Sequence, residues 1–212
     1  MAWQVWLTFF GAAIAISVSP GAGAIQSMAT GLTHGVRRGY WSILGLEVGL
    51  MLQLALVAVG LGAAVANSIL VFNIIKWIGV AYLVYLAARQ WRTATLDLRE
   101  NIGKAMDGGR VALLVRGFLV NATNPKGLVF FLAVLPQFVV PTDPLLPQYL
   151  AVGVTMVAVD LVVMGLYTGL SVRLVKWLHT PRKQTILNQV FSGLFATAAV
   201  VLSLVRRWPA TV

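Results

Sequence analysis

The sequence contains no cysteine and few charged residues. The absence of cysteine excludes disulfide bonds, thiolate metal sites and cysteine nucleophiles. Charged residues make up 10% of the 212 positions, whereas hydrophobic residues make up 59%. Soluble domains carry roughly a quarter charged and half apolar residues. The composition therefore indicates an integral membrane protein in the lipid bilayer.

The few charges are clustered and leave long uncharged stretches between them. A helix needs about 20 residues to cross a hydrocarbon core ~30 Å thick. The pattern predicts an all-α fold with six transmembrane helices, at residues 4–29, 40–66, 69–90, 111–139, 147–172 and 186–205. A cleavable signal peptide is the alternative for the first segment, but no Lys or Arg precedes its apolar run.

The net charge of +10 comes mainly from basic residues in and around the connections between the predicted spans. Cytoplasmic connections of membrane proteins are enriched in Lys and Arg, so this bias requires no nucleic-acid partner. It places the first, third and fifth connections in the cytoplasm and both termini on the outer side of the cytoplasmic membrane. The residues concerned are Arg37, Arg38, Arg89, Arg92, Arg99, Lys104, Arg110, Arg116, Arg173, Lys176, Arg182 and Lys183.

Two prolines divide the chain into corresponding halves. Pro20 interrupts the first predicted span and Pro125 the fourth, 105 residues later. Each half has three spans, so the halves take opposite orientations, as in an inverted repeat. The single membrane domain comprises a first three-helix repeat over residues 1–90, a cytoplasmic linker over 91–110 and a second repeat over 111–212.

Glycine pairs also occur in corresponding helices. Gly45 and Gly49 lie in the second span, and Gly165 and Gly169 in the fifth. This spacing lets neighbouring backbones approach closely, within the chain or between two copies. Ordinary helix packing is the favoured interpretation, and exposed faces of this kind would permit a homodimer without requiring one.

The helix breaks are the predicted substrate site. A proline inside a span frees a carbonyl that must find a partner in protein or in a water-filled cavity. The helix that restarts after each break directs free N–H groups and a positive dipole end into the membrane interior, which suits a carboxylate. Predicted substrate-binding residues are Ser19, Pro20, Gly21, Gly23, Gln26, Asn121, Asn124, Pro125 and Lys126. The structural alternative is two kinks, with Lys126 snorkelling or paired.

Glu47 and Asp160 are the only acids within the predicted spans. A carboxylate inside the membrane costs a few kcal/mol at least, so something must compensate for it. One possibility is a structural pair with Lys126 or Lys76; the other is a group that binds and releases a proton during transport. Asp160 is the better proton-coupling candidate because it lies ~20 Å along its helix from Pro147, near the membrane midplane.

An enzyme is not expected. His34 and His179 lie at membrane edges or in connections, so neither is placed to activate Ser17 or Ser19. No spacing of His and carboxylate residues suggests a metal. We therefore predict no catalytic residue, no metal and no cofactor.

The sequence resembles the lysine exporter family of bacterial amino-acid efflux proteins, in particular its homoserine and threonine exporter branch (LysE/RhtB). The family's Ser-Pro-Gly-Pro motif has its counterpart in Ser19-Pro20-Gly21-Ala22, with alanine replacing the second proline. The fourth-span motif is present as Asn124-Pro125-Lys126, followed by Phe130-Phe131 and Pro136-Gln137-Phe138. Residues Ile75 to Leu86 resemble the family's Gly-Ala-x-Tyr-Leu region.

The resemblance implies a secondary transporter with six helices. Its substrates would be amino acids or close derivatives, exported by proton antiport through alternating access. The small number of acids favours a neutral, homoserine- or threonine-like amino acid over a basic one. A passive channel, an exporter of another small solute and a non-transporting membrane scaffold remain the alternatives.

Overall fold

A computed structural model of the protein describes residues 3–65, 69–92, 109–140, 143–178 and 181–204. All the regular secondary structure in these ranges is helical, which confirms the predicted all-α class. The helices are α1 (Trp3–Val18), α2 (Ala22–Val65), α3 (Ile69–Arg92), α4 (Arg110–Ala122), α5 (Pro125–Phe138), α6 (Leu145–Gly169), α7 (Ser171–Leu178) and α8 (Pro181–Leu204). Most of the predicted linker, residues 93–108, lies outside the described ranges, as does His179.

Helix α2 is folded back on itself at Gly35. This glycine has φ 70° and ψ 176°, a left-handed backbone conformation that side chains disfavour. Gln26 Nε2 lies 3.2 Å from Ser42 Oγ, sixteen residues along the chain. A straight helix would separate these residues by about 24 Å. Helix α2 is therefore two antiparallel arms, residues 22–34 and 36–65, joined by a turn at Gly35.

Both predicted helix interruptions are present. Helix α1 ends at Val18 and α2 begins at Ala22, so Pro20 lies between them. Helix α4 ends at Ala122 and α5 begins at Pro125, with a bend of 49° between their axes. Helices α1, α4 and α5 have 16, 13 and 14 residues, about 20 to 24 Å each. The two helical segments that flank a break together measure roughly 40 Å, so each break lies about halfway along them.

Glycines allow the second arm of α2 to lie directly against α4. A Cβ atom added at Gly45 would collide with the carbonyl oxygen of Leu114, and one at Gly117 with that of Ser42. The close approach expected at Gly45 is therefore present. A Cβ added at Gly165 in α6 would meet no described atom within 4 Å. The two glycine pairs thus differ in their surroundings.

Apolar side chains form a packed core and also cover much of the outer surface. Phe9, Phe131 and Val152 pack in the core between α1, α5 and α6. Large apolar side chains are exposed along α2, α3, α4, α6 and α8, as expected for contact with lipid. By length and composition, Ala22–Gly60 and Leu145–Gly169 are long enough to cross a membrane, and α4 with α5 form a third candidate. The Gly35 turn divides the first of these stretches between two arms.

Candidate functional site

A small cavity lies where the two helix breaks face the middle of α6. Its volume is about 50 Å³, room for a few water molecules but not for an amino acid. Its polar lining consists of Ser17, Ser19, Asn121, Asn124, Lys126 and Asp160. Its apolar lining comprises Ile16, Leu50, Phe130, Phe131, Met156 and Met164, together with Gly21, Gly23, Ala24 and Gly127. The breaks and one acid of α6 therefore share one cavity.

The break after α1 is capped by the side chain of Lys126. Because Pro20 has no N–H, the carbonyl of Ile16 loses its helical donor. Lys126 Nζ donates to this carbonyl oxygen at 3.0 Å and to that of Ser19 at 2.6 Å. A cation is favourable at the negative, carbonyl end of a helix. The lysine thus satisfies the carbonyl that the proline frees.

Two further residues fit this arrangement. A Cβ atom added at Gly21 would lie 3.4 Å from both Cδ and Nζ of Lys126, so the lysine passes directly over this glycine. Tyr167 of α6 donates its hydroxyl hydrogen to the carbonyl of Val18 at 2.7 Å. The exposed end of α1 is therefore held from both α5 and α6.

The break after α4 is capped by Gln53 of α2. Pro125 removes the usual helical donor of the Asn121 carbonyl, which accepts instead from the backbone N–H of Asn124 at 3.0 Å and from Gln53 Nε2 at 2.8 Å. Gln53 Nε2 also donates to the carbonyl of Asn124 at 2.8 Å. A Cβ atom at Gly127 would collide with Gln53 Oε1, so the amide is closely enclosed. Gln53 is not among the residues predicted from the sequence for this site, although an isolated amide in an apolar span requires a buried polar partner.

Both asparagines of the fourth-span break also have structural partners. Asn124 Oδ1 accepts a hydrogen bond from the backbone N–H of Lys126 at 3.0 Å and so caps the start of α5. Asn121 Nδ2 donates to the carbonyl of Leu46 at 2.8 Å. The two side chains fix the break while lining the cavity.

The two acids of the predicted spans lie next to each other. Asp160 is buried, lines the cavity and interacts electrostatically with Lys126, with Ser17 and Glu47 beside its carboxyl group. Glu47 is equally buried but is not part of the cavity lining. Lys76 is the other predicted partner of these acids, and its side chain lies outside the described part of the structure. The structure brings both acids into one electrostatic cluster with Lys126.

Some predicted substrate-binding residues do not reach the cavity. Pro20 is buried and Pro125 is exposed, and neither is part of the lining. Gln26 Nε2 donates instead to Thr30 Oγ1 at 3.3 Å and to Ser42 Oγ at 3.2 Å. In the described ranges, no group of three or more His, Asp or Glu residues is arranged to hold a metal ion.

Comparison with known proteins gives matches over nearly the whole chain. A family model for the LysE type translocator matches residues 14–205. Proteins named homoserine/homoserine lactone efflux protein, from Salmonella typhimurium and Salmonella typhi, are 41% and 40% identical. Both alignments cover 97% of this chain and 99% of the relative. A leucine efflux protein from Klebsiella pneumoniae is 28% identical over 63% of each chain. No solved structure matches the chain.

Proposed function

The chain belongs to the LysE type translocator family, and we propose that it exports homoserine or a closely related neutral amino acid across the cytoplasmic membrane. Family membership makes it a multi-pass membrane efflux protein and not an enzyme. The observation that carries the choice of substrate is the 41% identity to a homoserine/homoserine lactone efflux protein over almost the full length of both chains. The leucine efflux relative is more distant and covers less of the chain.

The proposed substrate site is the cavity at the paired helix breaks. Its lining combines the hydrogen-bonding and charged groups of Ser17, Ser19, Asp160 and Lys126 with apolar side chains that include Phe130. This mixture suits a small zwitterion with a short side chain. The cavity must enlarge to admit such a molecule, and an alternating-access cycle would supply that opening.

The proposed topology has six spans arranged as two inverted three-helix repeats. Helix α1 with the first arm of α2, the second arm and α3 would form one repeat; α4 with α5, α6 and α8 would form the other. The turn at Gly35 and the matched breaks at Pro20 and Pro125 support this division. Arg37 and Arg38 are exposed just after the turn, which supports a cytoplasmic first connection and outer termini. The open face around Gly165 would permit a homodimer.

Proton antiport is the proposed driving mechanism. Asp160 lines the cavity beside Lys126, and Glu47 lies next to Asp160. A proton entering from the outer side would bind this carboxyl pair, and its release to the cytoplasm would reset the site. Substrate and proton would thereby cross in opposite directions.

Efflux from proteoliposomes preloaded with labelled homoserine tests the proposal. We expect homoserine efflux that accelerates when the receiving compartment is made acidic, with weaker efflux of leucine and none of lysine. Protein-free liposomes provide the control for leakage. Absence of amino-acid flux in a folded preparation would refute the exporter, whereas flux that is insensitive to the pH gradient would favour a passive channel.

A further inference from the structure

The ammonium group of Lys126 occupies a binding site made of backbone carbonyls. It donates to the oxygens of Ile16 and Ser19, which uses two of its three N–H groups. The Ser19 hydroxyl, 2% exposed and part of the same cavity, has no hydrogen-bond partner among the residues described. These groups form a receptor for a primary ammonium ion with the unpaired Ser19 hydroxyl beside it.

The substrate of the proposed exporter carries the same chemical group. An α-ammonium has three N–H donors and a positive charge, as the side chain of Lys126 does. We propose that the carbonyls of Ile16 and Ser19 are the subsite for the substrate's α-ammonium. Lys126 holds this subsite in the closed state, and the substrate ammonium displaces it. The inference rests on the proposed amino-acid export and specifies how that site recognises its substrate.

The displaced lysine has another partner in the same cavity. Asp160 attracts the Lys126 ammonium electrostatically, so Lys126 keeps a compensating charge after it leaves the carbonyls. A substrate carboxylate adds a second partner when one is present. The exchange therefore replaces one ammonium group with another at the carbonyls, and neither charge is left buried without a partner.

The other helix break does not allow this exchange. There the carbonyls of Asn121 and Asn124 already have backbone donors and bind the neutral amide of Gln53, which lies closely against Gly127. A cation binding at this break would have to displace the amide, and the amide does not leave behind a site that fits an ammonium group. The ammonium subsite is thus assigned to the Pro20 break alone, although both breaks free a carbonyl in the same way.

This assignment makes the substrate ammonium essential and its carboxylate secondary. Homoserine and homoserine lactone both have a primary amine, but only homoserine has a free carboxylate. The names of the Salmonella relatives pair these two compounds. A site that recognises the ammonium first accounts for a transporter that accepts both.

Competition by substrate analogues against labelled homoserine tests the inference on the unmodified protein. The panel is homoserine, homoserine lactone, N-acetylhomoserine and 2,4-dihydroxybutyrate, in which a hydroxyl replaces the amine. We expect the first two to compete and the last two to be weaker by about tenfold or more, since they lack the charged donor. Equal competition by 2,4-dihydroxybutyrate would overturn the ammonium subsite while leaving homoserine export intact. Absence of homoserine transport would overturn both proposals.

A second experiment tests the ammonium subsite by ligand binding and does not require a transport assay. In Lys126→Ala the carbonyls lose their donor, so n-propylammonium should bind in its place and raise the thermal unfolding midpoint in detergent. Tetramethylammonium, which has no N–H group, is the matched control and should leave the midpoint unchanged. Equal effects of the two ions, or an equal effect of n-propylammonium on the unmodified protein, would contradict the inference. Where Lys126→Ala fails to fold, the analogue competition decides the question.

Discussion

The side-chain amide of Gln53 donates a 2.8 Å hydrogen bond to the carbonyl oxygen of Asn121. That carbonyl is the one that Pro125 deprives of its helical donor. The chain meets the same need after Pro20 with the ammonium group of Lys126. One break is therefore capped by a neutral, enclosed amide and the other by an ammonium group, so the two matching prolines are compensated by chemically different side chains.

Removing the Gln53 amide should destabilise the protein. Gln53→Leu keeps most of the side-chain volume but removes the amide donor, so the carbonyls of Asn121 and Asn124 keep only their backbone donors at 3.0 and 3.4 Å. Each lost hydrogen bond of this kind costs about 0.5–1.5 kcal/mol. We expect a lower thermal unfolding midpoint in detergent. Thr123→Val, at an exposed residue of the same break, is the control and should change the midpoint little. Equal midpoints for the two variants would contradict the capping role.

Replacing glycine with alanine should have different effects at the packed α2–α4 contact and at the open face of α6. Gly45→Ala places a Cβ against the carbonyl of Leu114, and overpacking of this kind typically costs about 1–3 kcal/mol. Gly165→Ala meets no described atom within 4 Å and replaces glycine with a better helix former. We expect a lower unfolding midpoint for the first variant only. A selective loss of dimer on size-exclusion chromatography for Gly165→Ala would instead identify that face as an interface between copies.

The acids should differ in their contribution to proton coupling. Asp160 lines the cavity and faces Lys126, so Asp160→Asn should abolish the acceleration of homoserine efflux by an acidic receiving compartment. Exchange of internal for external homoserine requires no net proton movement and should be partly retained. Measuring both fluxes in the same proteoliposomes separates coupling from binding. Glu47→Gln is the matched comparison, since Glu47 lies beside Asp160 but outside the cavity lining. Gradient acceleration that survives in Asp160→Asn and is lost in Glu47→Gln would assign the proton to Glu47.

The sequence predicts the helix breaks well because their cause is local. Proline removes an N–H group wherever it occurs in a helix, so Pro20 and Pro125 identify two freed carbonyls without knowledge of the fold. The partners of those carbonyls depend on tertiary packing. Lys126 is separated from Ile16 by 110 residues, and Gln53 from Asn121 by 68. No local rule predicts that the lysine binds carbonyls in this state.

Gln26 is a predicted substrate-binding residue that lies outside the cavity lining. Its spacing of seven residues from Ser19 predicts a shared face only if one helix continues through both. The chain is not helical at Ser19 and Pro20, and α2 begins at Ala22, so the helical phase is reset between the two residues. The structure directs Gln26 toward Thr30 and Ser42 of the folded-back arm. The break that creates the cavity therefore also removes Gln26 from it.

Substrate protection of a single cysteine tests most directly whether the cavity at the helix breaks is the transport site. Because the chain has no cysteine, Ser17→Cys introduces a unique thiol into the cavity lining. Asp143→Cys, at an exposed position outside the cavity lining, is the matched control. We expect homoserine to slow labelling of Ser17→Cys by a water-soluble thiol reagent several-fold and to leave labelling of Asp143→Cys unchanged. Labelling of a transport-active Ser17→Cys protein at the same rate with and without saturating homoserine would contradict the account.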